Sequence, residues 1–255
     1  MMTEILVQSD EEVNELLCDL KIIQAQNGYR FSIDPVLLCG FSDLAVDATV
    51  ADLGTGNGII PLILSRRVSS GRIVGIERQP AMVSRAQRSV LLNSLHERIT
   101  IIEADLRNLP TLLTPESFDA VLANPPFRAA GRGRIAPDDE RAAARHELAG
   151  GCADFLRAAA FLLPTGGQVF LVYLAERLTD VIDGMRNVRL EPKRLRMVHS
   201  RAGEVAKLVL VEGRKNSKPG IVVEAPLMIY RGAGRDYTEE VLAMYQTPKP
   251  GNGDA

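Results

Sequence analysis

The chain has 255 residues, of which 46% are hydrophobic and 24% charged, and a formal net charge of −2. That is material for one sizeable core, and it excludes a uniformly basic surface, so any nucleic-acid contact must come from a local patch. Cys18, Cys39 and Cys152 are too widely spaced for a CxxC pair, which argues against a disulfide framework or a structural zinc site, and no apolar run approaches the roughly 20 residues a bilayer span needs.

Residues 1 to 26 read as a lead-in element, with Val13, Leu16, Leu17 and Leu20 at helical spacing before Lys21–Gln26 turns strand-like. The acidic start (Glu4, Asp10, Glu11, Glu12) lacks a secretory pattern, and a cytoplasmic location without metal or membrane partners is expected. The main domain is expected over 27–246, followed by a Pro- and Gly-rich tail at 247–255 expected to be disordered. Asn27-Gly28 marks a turn, and Asp34 is expected to cap a helix that has Pro35 at its first position. Between them, Tyr29 and Phe31 form either a lid on the core or a cover over a bound cofactor.

Thr49–Leu53 predicts a strand feeding Gly54-Thr55-Gly56-Asn57-Gly58, and Ile59–Leu64 opens a helix. Strand, glycine turn and helix form the opening of a nucleotide fold, in which backbone approaches a ligand closely and the helix start offers N–H groups to a carboxylate. The GxGxG spacing is not the dinucleotide pattern GxGxxG. A second strand, Arg72–Glu77, ends in an acid about 20 residues past the turn, the spacing of a ribose-hydroxyl ligand, although an exposed strand-end carboxylate reads the same way. After a helix over 80–92, the strand 99–105 ends in Asp105, which either accepts from an adenine amine or caps the next turn.

Phe118–Ala123 is a buried strand that runs straight into Asn124-Pro125-Pro126-Phe127. Two prolines end the ladder and stiffen the turn, because neither has an N–H and both fix φ. The Asn124 amide oxygen and the Pro125 carbonyl provide two acceptors, and Phe127 an aromatic face, for a planar group bearing an NH2. Such a nitrogen is a poor nucleophile because its lone pair is delocalised. Accepting hydrogen bonds from its N–H groups favours a pyramidal nitrogen and aims the lone pair at an electrophile, by positioning and preorganised electrostatics.

A helix over about 150–163 and a strand over 167–174 continue the alternation, and strand candidates at 194–199, 206–211 and 221–230 suggest an antiparallel flank. The fold class is therefore α/β, a doubly wound and mostly parallel sheet. The mixed-charge loop after Phe127 carries Arg128, Arg145 and His146, and residues 191–220 hold eight cations against three acids, among them Lys193, Arg194 and Arg196. This basic stretch could contact RNA phosphates.

In their order, DLGTGNG at 52–58, Glu77, Asp105 and NPPF at 124–127 resemble the class I S-adenosylmethionine-dependent methyltransferases that act on planar nitrogen atoms. NGYRFSIDPVLL at 27–38 and KRLRMVHS at 193–200 are similar to the bacterial tRNA adenine-N6 methyltransferases that modify the adenine beside the anticodon of a valine tRNA. The resemblance, over roughly residues 20–230, implies a seven-stranded Rossmann-like methyltransferase fold and S-adenosylmethionine as cofactor. It implies that Gly54, Gly56 and Gly58, with Asp52 and Thr55 in the same loop, line the methionine part. Glu77 would hold the ribose hydroxyls, Asp105 and Leu106 the adenine, and Tyr29, Arg30 and Phe31 would close over the cofactor. Asn124, Pro125 and Pro126 would form the catalytic turn and Phe127 would stack on a target base turned out of its stack, with Arg128, Arg145, His146, Lys193, Arg194 and Arg196 as substrate contacts. Relatives with this turn also methylate guanine N2 of ribosomal RNA or a protein glutamine amide, the latter usually with Tyr in the fourth place. A cofactor- and RNA-binding module without catalysis is the alternative of another class.

Overall fold

The computed structural model describes residues 7–27, 32–126 and 151–246. Tyr29, Arg30, Phe31, Phe127, Arg128, Arg145, His146 and the 247–255 tail lie outside the described residues.

Four short parallel strands, β3 (Val50–Leu53), β4 (Ile73–Glu77), β5 (Ile99–Glu103) and β6 (Ala120–Ala123), are joined by helices and turns and followed by β7 (Gln168–Leu174). Their apolar residues alternate between two cores. Val50, Ile73, Ile99, Ala120 and Phe170 pack under α1 (Asp34–Phe41), α2 (Ile59–Leu64) and α3 (Pro80–Leu92), whereas Ala51, Val74, Val121 and Val169 pack on the other face with α4 (Cys152–Leu162). Helices on both faces explain why these strands are nearly continuous apolar runs rather than alternations of apolar and polar residues. The chain turns back through α5 (Leu178–Asn187) into β8 (Leu190–His199) and β9 (Ala206–Lys215), and β9 pairs antiparallel with both β7 and β8. Seven strands of the nine-stranded sheet, in the order β8-β9-β7-β6-β3-β4-β5, form the doubly wound arrangement with an antiparallel flank.

Three local expectations change. The last strand candidate, 221–230, is two short segments, β10 (Val222–Val223) and β11 (Leu227–Met228), each parallel to β8; Pro226 between them has no N–H to continue a ladder. A final helix, α6 (Glu239–Tyr245), is capped by the Thr238 hydroxyl. At the start of α1 the cap position belongs to Ile33, so Asp34 is the first helical residue and Pro35 the second.

The third concerns the lead-in, where helical spacing gives way to a hairpin of β1 (Glu11–Glu15) and β2 (Lys21–Ala25). Its polarity fits α3 group by group. Glu11, only 5% exposed, accepts from Arg85 Nε at 3.1 Å and from Arg88 Nη1 at 2.5 Å. The Ile23 N–H donates to Ser89 Oγ at 2.9 Å, and Asn93 exchanges two bonds with the Lys21 backbone. Leu16, Leu20 and Ile22 join the core beneath α1–α3. Cys39 is buried, and Cys18 and Cys152 are half-buried.

Candidate active site

The strand order reverses at β3, with β4 on one side and β6 on the other, so a crevice opens between the carboxyl ends of β3 and β6. Leu53 is level with Ala123 and with Ile76, which puts the next residues, Gly54, Asn124 and Glu77, in one row across three strands. Neighbouring strands lie about 4.8 Å apart, so the glycine turn and the Asn-Pro-Pro turn stand side by side.

Gly54, Gly56 and Gly58 have φ of 70, 56 and 86°, a region L side chains rarely enter. Space makes the same demand at Gly54, where an added Cβ would lie 3.0 Å from the Phe155 ring on α4. The turn is pinned from β4. Gly54 and Thr55 N–H donate to the Ile76 carbonyl, and Gly56 N–H donates to Glu77 Oε2 at 3.0 Å. Glu77, 8% exposed, also accepts at Oε1 from Arg78 and Gln79 N–H, each at 2.8 Å. One carboxylate thus shapes the glycine turn and the approach to α3, and Oε2, with a single protein bond, keeps acceptor capacity for a hydroxyl.

Beneath the turn lies Asp52, fully buried, and neither of its carboxyl oxygens has a hydrogen-bond partner among the described residues. Burial pushes its pKa up to about 8, and the Glu77 charge adds to the shift. Thr55 Oγ1 and Asn57 Oδ1 are likewise buried without partners. Native proteins rarely leave four such atoms together unsatisfied. They are oxygens gathered at one glycine turn, so they suit a ligand rich in donors, such as an amino group, and they fit the amino-acid part of S-adenosylmethionine. Asn57 was not singled out from sequence. Its place inside the glycine turn was the available signal, but only the structure shows its amide oxygen buried and unpaired.

Asp105 caps the turn Leu106–Thr111 by accepting from Arg107 N–H at 3.0 Å. The hydrogen-bonded Arg107 guanidinium holds its pKa near 2, assisted by Arg78 and opposed by partial burial. Capping is therefore a demonstrated role of this acid, and Leu106 beside it is buried. Asp34, at the start of α1, is buried; desolvation raises its pKa, with Ser32 opposing.

Asn124 is half-buried and Pro125 buried. Among the described residues, neither the Asn124 amide nor the Pro125 carbonyl is engaged in a hydrogen bond. Two acceptors on a stiff turn remain available at the crevice.

The basic stretch resolves differently. Arg194 donates to Glu212 at 2.9 Å and Glu224 at 3.2 Å and to the Phe41 carbonyl at 2.6 Å, pairs with Asp43 at 2.9 Å, and lies over the Phe41 ring. Arg196 pairs with Glu240 at 2.7 Å and donates to the Ala225 carbonyl, and Lys193 donates to the Lys218 carbonyl. These side chains tie β8 to α1, α6 and the 218–225 segment. Among the described residues, no group of three or more His, Cys, Asp or Glu side chains could hold a metal ion, and no helix is long and apolar enough to cross a membrane.

A family model described as a methyltransferase domain matches residues 50–137. A curated tRNA1(Val) (adenine(37)-N6)-methyltransferase from Actinobacillus succinogenes is 31% identical over 216 residues, covering 84% of this chain and 88% of that one. One of the same name from Porphyromonas gingivalis is 32% identical over 165 residues, and the match spans 64% of each chain. Among solved structures, a predicted O-methyltransferase from Agrobacterium tumefaciens superposes with a TM-score of 0.68 at 24% identity, covering 83% of this chain and 95% of that one, which is a likeness of fold.

Proposed function

The chain belongs to the tRNA1(Val) (adenine(37)-N6)-methyltransferase family, and on that premise we propose that it methylates the exocyclic N6 of an adenine in a tRNA. The observation that carries the reading is the row formed by Gly54, Glu77 and Asn124 at the switch point, with unengaged acceptors on one turn and unsatisfied buried oxygens beneath the other.

The cofactor is S-adenosylmethionine, which when bound supplies an electrophilic methyl group. Asp52, Thr55 and Asn57 would meet its amino-acid end, the Glu77 carboxylate its ribose, and Asp105 with Leu106 its adenine, with Tyr29, Arg30 and Phe31 closing over it. The Asn124 amide oxygen and the Pro125 carbonyl accept from the two N–H groups of the target amine. Those bonds hold the nitrogen lone pair out of the ring plane and toward the neighbouring glycine turn. Pro126 stiffens the turn and Phe127 stacks on the turned-out base. No general base is needed, because the proton leaves after transfer. The catalytic unit spans 27–246, with the N-terminal hairpin as its brace, and an RNA substrate places the protein in the cytoplasm.

Asn124→Ala tests the central role. It removes one oriented acceptor and should lower kcat by about 10²–10³-fold, while cofactor affinity measured by calorimetry stays within about twofold. A fully active variant would sink the assignment.

A further inference from the structure

Removing Arg194 and Arg196 from the basic stretch does not abolish its charge; it relocates it. Of the cations that remain, Arg201 and Lys207 lie toward the carboxyl edge of the sheet, whereas Lys193, Arg214, Lys215 and Lys218 lie toward the amino edge, opposite the catalytic crevice. The turn after α5 and the end of β9 meet there, where the Asn216 N–H donates to the Arg189 carbonyl at 2.8 Å. Arg186, Arg189, Glu191, Asn216 and Ser217 line an open cleft of about 340 Å³. Arg186 is solvent-exposed and 3.5 Å from Glu191, the one acid of the cleft. Among the described residues, no carboxylate pairs with Arg189 or Lys218, whereas Arg214 is engaged by Glu212 at 3.2 Å.

We propose that this amino-edge cleft is a contact site for phosphates of the RNA backbone, remote from the target base. The proposal rests on the RNA reading above. Guanidinium forks beside an amide and a hydroxyl suit a phosphodiester. A small free anion would need only the cleft, whereas exposed Lys218, next in sequence to Ser217 of the cleft, carries the positive charge beyond it, as a polyanion requires. The location gives the length of the footprint. Arg214 is level with Gln168 and Ala123 with Leu171, and two strand spacings separate β6 from β9. Cleft and crevice are therefore roughly 15–20 Å apart, or about four to six nucleotides of stacked strand. The cleft thus reads a folded RNA at a distance from the reacting base and contributes affinity rather than chemistry.

The test is the triple variant Arg186→Gln/Arg189→Asn/Lys218→Gln. Asn suits position 189, whose φ is 60°. Binding of an unmodified tRNA transcript is followed by fluorescence anisotropy between 50 and 200 mM salt (about the range over which phosphate contacts are lost), beside cofactor calorimetry and thermal melting. The expected result is an affinity about 10-fold lower and a log–log salt slope shallower by about 2, with cofactor affinity and melting temperature as in wild type. Equal affinity and slope in the variant would overturn the cleft assignment and leave the RNA substrate standing. A wild-type protein that binds no RNA would overturn both. If inorganic phosphate at fixed ionic strength erases the wild-type advantage, the site belongs to a free anion and the RNA assignment fails.

Discussion

Asp52 is a fully buried carboxyl group whose surroundings favour its protonated form at neutral pH. Its pKa is raised from an ordinary value near 3.8 to about 8, chiefly by burial. The sign of the consequence is fixed. Between those two values the folded state holds a proton that the unfolded state has released, so this group's contribution to stability is complete below about pH 4 and is lost as pH rises toward 8. Asp52→Asn removes the titration. The apo variant should melt at least about 3 °C above wild type at pH 8 and show a flatter melting profile from pH 5 to 8. The same change removes one of the acceptors proposed for the cofactor's amino group and should weaken cofactor binding about 10-fold. An apo melting profile unchanged by the substitution would show that Asp52 does not titrate in this window. Sequence alone reaches the residue, because DLGTGNG names it, but not its state. Protonation depends on the helix packing that removes water from the carboxyl, and no local pattern encodes that.

At the scale of elements, the strands and turns that build the site were legible because each carries its own chemistry. Apolar runs of four or five residues stop at glycine, at an acid or at proline, and β3, β4 and β6 end within a residue or so of the expected places. The flanks were less legible for one physical reason, namely that their partners are distant in sequence. Val13, Leu16, Leu17 and Leu20 have helical spacing, yet the segment becomes a hairpin because Glu11 finds Arg85 and Arg88, more than seventy positions away. Likewise Arg194 and Arg196 read as free charge until Glu212, Glu224 and Glu240 are brought beside them. The hairpin brace has a measurable cost of removal. Glu11→Gln leaves two arginines short of their counter-charge and should destabilise the fold by about 3 kcal/mol in chemical denaturation. The hydrogen-bonded Arg88 holds the Glu11 pKa at about 2 against an ordinary 4.5. This contribution is therefore present above about pH 4.5 and lost as pH falls toward 2. Wild type and variant should converge in stability at acid pH; a constant gap would refute the ion pair as the source.

Across the whole molecule, the two ends of one sheet divide the work. The carboxyl edge gathers the glycine turn, Glu77 and the Asn-Pro-Pro turn at the point where strand order reverses, and the amino edge carries exposed Arg186, Arg189 and Lys218. A net charge of −2 is compatible with the proposed RNA substrate, because attraction needs only a local cluster of cations rather than a basic surface. The central claim is the reaction itself, and one measurement meets it directly. The purified protein is incubated with methyl-labelled S-adenosylmethionine and tRNA lacking modifications, the RNA is digested, and the labelled nucleoside is identified by mass spectrometry. The account predicts N6-methyladenosine, absent when Asn124→Ala replaces wild type. Label recovered as N2-methylguanosine, or in protein rather than RNA, would contradict it.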